Sequence, residues 1–375
     1  MSNENIMVVE MSKYQPPKIE VNLSKNWVLN GDANEYYSYI KKCYEDSPTN
    51  ASIINSISNY IVGEGLIDLN GLNLKKYISK QDLKLIALDY KTYGSFAIQV
   101  IWNKAYEIED KKPIKIKYLS LLKTGLNIND EMEVDGYWYC FDWSNTTKYT
   151  PKFFHKFDGN YKEEMEDVET NRDIEILIVN RPSSNDFFPN PDYQAGLVYA
   201  EVENELSNST ISHIQNGFQG GAIINCNSGV PATEELKQTY KKKIVGELTG
   251  TSNTNKLIVS FNENAEQAMT IDRIDVAELN SQYESFDKTA EAKLIIAHSV
   301  PPILFEGNRS GGGFSNNADE IQTATQSLYR KVVHPAREII LEGLQEVFNY
   351  INPNIQLEIK DFDSFQEEEV IKENI

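Results

Sequence analysis

The chain has 375 residues and a formal net charge of -20, with 40% hydrophobic and 25% charged residues. This length exceeds one small domain, and the composition excludes a disordered or a collagen-like chain. The negative charge argues against tight DNA binding, because such binding depends largely on Lys and Arg side chains that neutralise phosphates.

The first half of the chain is predicted to mix helices and strands after an extended arm. Residues 1–28 contain Pro16 and Pro17 and show no sustained hydrophobic period, which is typical of an extended segment. Apolar residues spaced by three and four predict helices at residues 34–46, 51–62 and 80–91. Alternating apolar residues predict strands at residues 96–102, 114–119, 136–142 and 174–179. This pattern indicates an α+β region.

Two long helices are predicted on either side of a small insert. Residues 192–215 contain no proline, and one helix through them would be about 36 Å long at 1.5 Å per residue. Residues 277–297 carry apolar side chains on one helical face. Between them, strands at 222–226 and 256–261 and a helix at 233–247 predict a compact α/β insert.

The remaining chain is predicted to be a loop, a long helix and a last strand. Pro301 and Pro302 end the second long helix, and a Gly-rich loop follows at residues 306–316. A helix then begins near Ala318. Pro335 is expected to kink that helix, because its ring removes an amide donor from the helix interior. A strand at residues 355–360 precedes an acidic tail.

The Gly-rich loop does not match a nucleotide-binding motif. A Walker loop ends in Gly-Lys-Ser/Thr, whereas Gly313 is followed by Phe314 and Ser315. A dinucleotide fingerprint follows a strand, whereas this loop follows a helix and two prolines. Two interpretations stay open: a simple connector, or a mobile loop that protrudes into a lumen.

No catalytic or metal-binding constellation is predicted. The odd number and wide spacing of Cys43, Cys140 and Cys226 indicate reduced, buried thiols. The histidines show no spacing typical of a metal pair or a nucleophile partner, and packed or capping roles are expected for His155, His213, His298 and His334. Asp361 and Asp363 are interpreted as solvated carboxylates. We therefore expect neither an enzyme nor a cofactor.

The most basic local cluster is formed by Lys237, Lys241, Lys242 and Lys243. Electrostatic stabilisation of a helix end is the favoured interpretation, and contact with an acidic partner or DNA is the alternative. The longest aliphatic runs are far shorter than the roughly 20 apolar residues that cross a bilayer, so no membrane contact is expected. No export signal begins the sequence, which predicts a cytoplasmic protein.

Four local motifs, taken in order, resemble the portal proteins of long-tailed bacteriophages over residues 50–365. The first is the helix and Gly turn at residues 51–66, and the second is the Tyr93-Gly94-Ser95-Phe96 start of a strand. The third runs from Pro191 through a helix to Phe218-Gln-Gly-Gly-Ala-Ile-Ile224. The fourth combines Val300-Pro-Pro302, the Gly-rich loop, Phe314-Ser-Asn316 and Pro335. Ser95 departs from the family, which often has Asn there.

The resemblance implies an α+β portal fold with a wing, a helical stem, a small α/β clip and a reduced crown, assembling as a ring of usually twelve subunits. The implied organisation is an N-terminal arm at 1–30, the first part of the wing at 31–190, a stem helix at 191–217 and the clip at 218–262. A return strand and second stem helix follow at 263–298. The rest of the wing occupies 299–350, with a tunnel loop at 306–316 and a kinked long helix, and the final strand and short crown or tail occupy 351–375.

The resemblance also implies positions for functional residues. The tunnel loop facing DNA would comprise Gly307, Asn308, Arg309, Ser310, Gly311, Gly312, Gly313, Phe314 and Ser315. Contacts of the clip with terminase or an adaptor would involve Lys237, Lys241, Lys242, Lys243, Thr251 and Asn253. The helix kink would lie at Pro335.

The function implied is a ring at one capsid vertex of the virion, assembled in the host cytoplasm, through which double-stranded DNA passes during packaging and ejection. It would not bind DNA tightly or sequence-specifically. It would nucleate capsid assembly and contact the terminase large subunit, head-completion or adaptor proteins, and the major capsid and scaffolding proteins. The alternatives are a different phage head-neck structural protein, or a soluble enzyme that binds a phosphorylated ligand through the Gly-rich loop.

Overall fold

The computed structural model describes residues 21–22, 27–103, 112–129, 131–157, 173–185, 187–215, 223–226, 258–261, 276–306 and 318–362. The chain divides into two compact units. Unit 1 comprises Met1–Leu197 and Leu294–Ile375, and unit 2 comprises Val198–Lys293. Unit 2 is therefore an insertion within the sequence of unit 1.

Three helices begin unit 1: α1 (Glu35–Asp46), α2 (Pro48–Val62) and α3 (Lys80–Tyr93). Ser47 caps α2 by accepting a hydrogen bond from Asn50 N at 3.2 Å, and Pro48 occupies the first turn, where its missing amide is not needed. Gly94 ends α3 in the left-handed conformation, with φ 77°. The predicted helices are confirmed to within three residues at each end.

A three-stranded antiparallel sheet forms part of the core of unit 1. Its central strand β4 (Ser95–Trp102) pairs with β5 (Pro113–Leu119) on one side and β9 (Ile174–Asn180) on the other. Helix α8 (His334–Asn349) approaches closely, because a Cβ at Gly343 would lie 2.5 Å from Val179 Cγ2. Phe96 and Ile340 are fully buried between these elements. The strands predicted at 96–102, 114–119 and 174–179 are thus confirmed to within one residue at each end.

A five-stranded antiparallel sheet lies in the same unit, with strand order β1-β2-β6-β7-β8. Its strands are β1 (Val21–Asn22), β2 (Trp27–Val28), β6 (Thr124–Ile128), β7 (Val134–Tyr139) and β8 (Lys152–His155). Val21 pairs with Val28, so the prediction of an extended arm up to residue 28 is wrong from Val21 onward. Two-residue strands carry too little alternation to be detected in a sequence.

A two-stranded sheet joins distant parts of unit 1. Strand β3 (Gly65–Asp68) pairs antiparallel with β12 (Leu357–Lys360). The Asp68 carboxylate accepts hydrogen bonds from the amides of Gln356 and Leu72, each at 2.9 Å, and these bonds lower its pKa. Arg337 donates to the backbone oxygens of Tyr60 and Ile61, which ties α8 to the end of α2.

The C-terminal helices of unit 1 contain a turn that the sequence did not indicate. Helix α6 (Ile303–Glu306) is short, and α7 (Ala318–Leu328) continues through a π-helical turn at Tyr329–Val333 into α8. Pro335 lies in the first turn of α8. The hydrogen-bonding pattern thus changes before Pro335 is reached, and a bend at Pro335 itself stays a prediction.

Unit 2 contains most of two long helices and a pair of strands. Helix α4 (Leu197–Gln215) begins five residues later than predicted, after a 3-10 turn at Gln194–Gly196, and α5 (Val276–Ala297) follows its prediction closely. Ser209 Oγ donates to Tyr283 Oη at 3.2 Å, so the two helices run beside each other. Strands β10 (Ile223–Cys226) and β11 (Ile258–Phe261) pair in parallel, which requires a crossover connection. The predicted insert helix at residues 233–247 lies outside the described residues.

Candidate functional site: the anchor of the long helices

The start of α4 and the end of α5 meet inside unit 1. Gly196 immediately precedes α4, and a Cβ on this residue would lie 2.7 Å from the Ala297 Cβ and 3.6 Å from Leu294 Cδ2. Such a short separation is essentially never seen between real side chains, so only glycine permits this approach without a shift. The two helix ends are therefore in direct contact.

An aromatic pair lies next to this contact. The rings of Tyr193 and His298 stack with centroids 4.2 Å apart and an interplanar angle of 21°, and both side chains are buried. Tyr193 Oη donates to the Thr92 carbonyl at 3.0 Å, at the end of α3. Tyr193 precedes α4 and His298 follows α5, so the pair joins the two chain segments that lead into unit 2.

A hydrogen-bond relay fixes the tautomer of His298. Its Nε2 lies 2.8 Å from Asn50 Oδ1, and Asn50 Nδ2 donates to the Cys43 carbonyl at 3.1 Å. Because Asn50 presents its oxygen to the ring, Nε2 carries the proton. Burial lowers the pKa of His298 well below its usual range, and the nearby positive charge of Lys91 lowers it further. His298 is therefore neutral. It packs against the protein interior and is hydrogen-bonded to Asn50 of α2, in agreement with the packed role predicted from the sequence.

A buried ion pair completes the arrangement. Lys91 Nζ lies 2.8 and 2.7 Å from the two carboxylate oxygens of Asp192. The Lys91 side chain is 2% exposed, whereas that of Asp192 is 39% exposed. Burial lowers the pKa of Lys91, and the Asp192 carboxylate opposes this effect. The ammonium also lies 5.6 Å from the centroid of the Tyr193 ring, within the range of a cation–π contact.

We call these residues the helix anchor: Asn50, Lys91, Asp192, Tyr193, Gly196, Ala297 and His298. The polar side chains of Asn50, Lys91 and Tyr193 bind other parts of unit 1, and most side chains of the anchor are buried. Such a site orients backbone elements and has little surface on which to bind a substrate. Within the described ranges, no group of three or more His, Cys, Asp or Glu side chains could hold a metal ion.

The functional residues predicted from the sequence fall mostly elsewhere. Outside the described residues lie the tunnel-loop residues Gly307, Asn308, Arg309, Ser310, Gly311, Gly312, Gly313, Phe314 and Ser315, and the clip residues Lys237, Lys241, Lys242, Lys243, Thr251 and Asn253. The anchor was missed by the sequence analysis, because Tyr193 and His298 meet only in the folded chain. One feature of the sequence could have pointed to the anchor: Tyr193 and His298 each lie within three residues of a proline that delimits a long helix.

Among the described helices, none combines the length and apolarity required to cross a bilayer. Cys43 and Cys140 are buried thiols, as predicted. No protein-family model and no curated protein matches the chain.

Three solved structures of gene transfer agent (GTA) particles contain a chain with a similar fold. A chain in the neck of the native GTA particle, computed with C12 symmetry, is 16% identical with a TM-score of 0.56, and the match covers 90% of this chain and 86% of that one. A chain in the neck of the empty particle, computed with C6 symmetry, is 15% identical with a TM-score of 0.55, and the match covers 90% of this chain and 87% of that one. A chain in the virion of the native particle is 16% identical with a TM-score of 0.55, and the match covers 90% of this chain and 86% of that one. This similarity establishes a shared fold over most of both chains.

Proposed function

We propose that this chain is the portal subunit of a phage-like particle and forms a ring through which double-stranded DNA passes. The observation that carries the proposal is the shared fold over 90% of the chain with a chain of a particle neck computed with C12 symmetry. The ordered motifs that resemble portal proteins agree with it. The chain would act as a structural protein rather than an enzyme.

The helix anchor supports a stem built from α4 and α5. A ring wall requires long helices with fixed spacing, because small angular errors at the base of a helix become large displacements at its far end. The contact of Gly196 with Ala297 and the stacking of Tyr193 on His298 set that spacing in unit 1. The two helices remain side by side in unit 2 through the Ser209–Tyr283 hydrogen bond.

Exposed apolar side chains on the same helices suit contacts between neighbouring subunits. Ile211 of α4 is 52% exposed and Phe286 of α5 is 55% exposed in the isolated chain. Contact with a neighbouring subunit would remove these apolar side chains from water, which is favourable. We assign them to the subunit interface of the ring.

Charge suits a conduit through which DNA slides. Twelve copies would carry a formal charge of about -240 (12 × -20), and an acidic lumen repels phosphates. The proposed tunnel loop at 307–315 would face the DNA, and the clip at 218–262 would contact terminase and then adaptor proteins. Capsid and scaffolding proteins would surround the wing at the portal vertex of the virion, after assembly in the host cytoplasm.

Electron microscopy of the purified protein, combined with its mass in solution, tests the proposal. The expected result is a ring with an axial hole, and twelve copies of 42.8 kDa would weigh about 514 kDa. Phe286→Glu should dissociate the ring, whereas Ser285→Glu adds the same charge at an adjacent exposed position on another face of α5 and should preserve it. A monomer of 42.8 kDa at every concentration would contradict the proposal and favour the alternative of a soluble phosphate-binding enzyme.

DNA binding provides a second test. The ring is expected to bind double-stranded DNA only weakly at physiological salt, with no preference for sequence. A Kd of roughly 10⁻⁸ M or below, as found for specific DNA-binding proteins, would contradict a conduit that releases DNA.

A further inference from the structure

The outward side of the five-stranded sheet carries a layer of aromatic rings. Trp27 of β2, Trp138 of β7, and Phe153 and His155 of β8 share this side, and Trp143 packs against it from a 3-10 turn at Trp143–Asn145. We call these five residues the aromatic face. Neighbouring rings are in contact throughout, with centroid separations of 5.0 to 5.7 Å.

Two glycines make room for these rings. A Cβ at Gly125 would lie 3.1 Å from the Trp143 ring, and a Cβ at Gly136 would overlap the ring of Phe153. The rings of Trp143 and Phe153 therefore approach the backbone of β6 and β7 closely. They form a continuous apolar surface instead of isolated side chains that point into water.

The opposite side of the same sheet supplies the core. Leu126 and Tyr137 point inward and are buried, and Tyr137 reaches the backbone of Ile178 in β9. On the outward side, Trp27, Trp138, Phe153 and His155 are only half-buried. A contiguous, half-exposed aromatic surface is typical of a binding site for another segment of protein.

We propose that residues 14–17 of the same chain, Tyr-Gln-Pro-Pro, lie across the aromatic face. The arm enters the sheet at β1, where Asn22 pairs with Trp27. Prolines favour the extended polyproline conformation, and segments of this kind bind in grooves lined by aromatic side chains. Tyr14 adds a further ring, and the segment carries no charged side chain that would lose its hydration on the apolar surface.

The distances agree with this placement. Pro17 is four residues from Val21 and reaches about 13 Å in an extended chain. Strand β7 lies three strand spacings from β1, or about 14 Å. Tyr14, seven residues from Val21, reaches about 23 Å, beyond the roughly 19 Å to β8. Tyr14 can therefore reach Trp138 and Phe153, while Pro16 and Pro17 would cross the strands that lie between them and β1.

Tethering favours the chain's own arm over that of a second copy. A short linker gives a tethered segment an effective concentration of about millimolar, far above the concentration of free subunits in a dilute sample. This inference does not depend on the proposed function, since a monomer and a ring would both contain the contact.

Site-specific photo-cross-linking in the full-length protein tests the inference. Tyr14 is replaced by p-benzoylphenylalanine, and cross-linked peptides are identified by mass spectrometry. We expect cross-links to peptides that contain Trp138 or Phe153. Under denaturing conditions the cross-linked product should have the mass of a single chain, 42.8 kDa. The same amino acid at Tyr44, a half-buried residue of α1 that is hydrogen-bonded to Asn55, should not give them.

Tryptophan fluorescence provides an independent readout, because three of the four tryptophans belong to the aromatic face and Trp102 is buried against Phe157. Pro16→Ser with Pro17→Ser should shift the emission to longer wavelength and steepen quenching by acrylamide. Asn3→Ser with Asn5→Ser, a matched pair outside the segment, should change neither.

The remaining outcomes overturn the inference in different ways. Cross-links to the same peptides in a species of two chains would assign the face to the arm of a second copy. Cross-links to other parts of the chain, or unchanged quenching in the proline variant, would exclude the arm as the occupant.

Discussion

The phenol ring of Tyr193 lies nearly parallel to the imidazole of His298, with centroids 4.2 Å apart. Tyr193 stands before α4 and His298 stands after α5, so this one stacked pair fixes both ends of the chain segment that forms unit 2. Changes in the helix anchor should therefore alter the stability of unit 1.

The contact of Gly196 with Ala297 predicts a compensating pair of variants. Gly196→Ala places a methyl group 2.7 Å from the Ala297 Cβ and should lower the free energy of unfolding by about 1–3 kcal/mol, as overpacking does. Adding Ala297→Gly removes the clash, so the double variant should recover part of this loss. Denaturant unfolding of both single variants and the double variant measures the coupling, and additive effects would contradict direct contact.

Removing Asp192 should lower the free energy of unfolding more than removing Lys91. Asp192→Ala leaves a buried ammonium without its partner and should cost about 3 kcal/mol, near the lower end of the range for such pairs because Asp192 is 39% exposed. Lys91→Met preserves the volume and removes the buried charge, so its cost should be smaller. Urea unfolding compares the two variants, and a larger loss for Lys91→Met would refute the assignment.

Lys288→Ala serves as the surface reference for that experiment. Its ion pair with Glu284 is exposed on both sides, and solvent screening leaves such surface pairs with little effect on stability. A loss comparable with that of Asp192→Ala would indicate that general charge effects, rather than burial, determine the result.

His298 predicts a loss of stability in mild acid. Burial holds its pKa well below 6.5 in the folded protein, whereas an unfolded histidine binds a proton near 6.5. The unfolded chain therefore binds more protons below pH 6.5, and the free energy of unfolding falls as the pH decreases. His298→Gln keeps an N–H donor for Asn50 and should show a smaller decrease between pH 6.5 and 5 than the wild type. A slope in His298→Gln equal to that of the wild type would contradict the prediction.

Ionisation of Asp89 should lower the free energy of unfolding as the pH rises. Burial raises its pKa to about 7, although Tyr118 Oη donates to its carboxylate at 2.8 Å. The folded state then binds more protons than the unfolded state between about pH 4 and 7, so ionisation of Asp89 lowers the free energy of unfolding as pH rises. A shift of about three units corresponds to about 4 kcal/mol as an upper bound.

Asp89→Asn removes this titration and keeps a side chain that can bond to Tyr118. Its stability relative to the wild type should increase from pH 4.5 to pH 8, as measured by thermal unfolding at several pH values. A difference that does not change with pH would show that Asp89 is already ionised in the folded protein at pH 4.5.

Sequence periodicity was sufficient for the long and strongly patterned elements. Helix α5 was predicted at 277–297 and spans Val276–Ala297, because its apolar residues repeat at three and four. Strand β4 was similarly clear, since it is buried along nearly its whole length. The fold is shared over 90% of the chain with a chain of gene transfer agent particles, and the finer resemblance to portal proteins stays a prediction.

Tertiary contacts account for what periodicity could not predict. The start of α4 lies at Leu197 rather than at residue 192, because Asp192 pairs with Lys91 and Tyr193 stacks on His298 instead of continuing the helix. Strands β1 and β2 have only two residues each, and β3 pairs with β12, which lies far away in sequence. The π-helical turn at Tyr329–Val333 leaves no distinctive composition.

The pairing of β3 with β12 also sets the timing of folding during synthesis. The hydrogen bond from Gln356 to Asp68 spans 288 residues of sequence. At about 5–20 residues per second, a ribosome would make β12 roughly 15 to 60 seconds after β3. Throughout that interval β3 lacks its partner strand, and unit 2 is translated before β12 is made. Unit 1 is therefore completed last, so a nascent subunit cannot present its finished surface to a second copy before nearly the whole chain has been made.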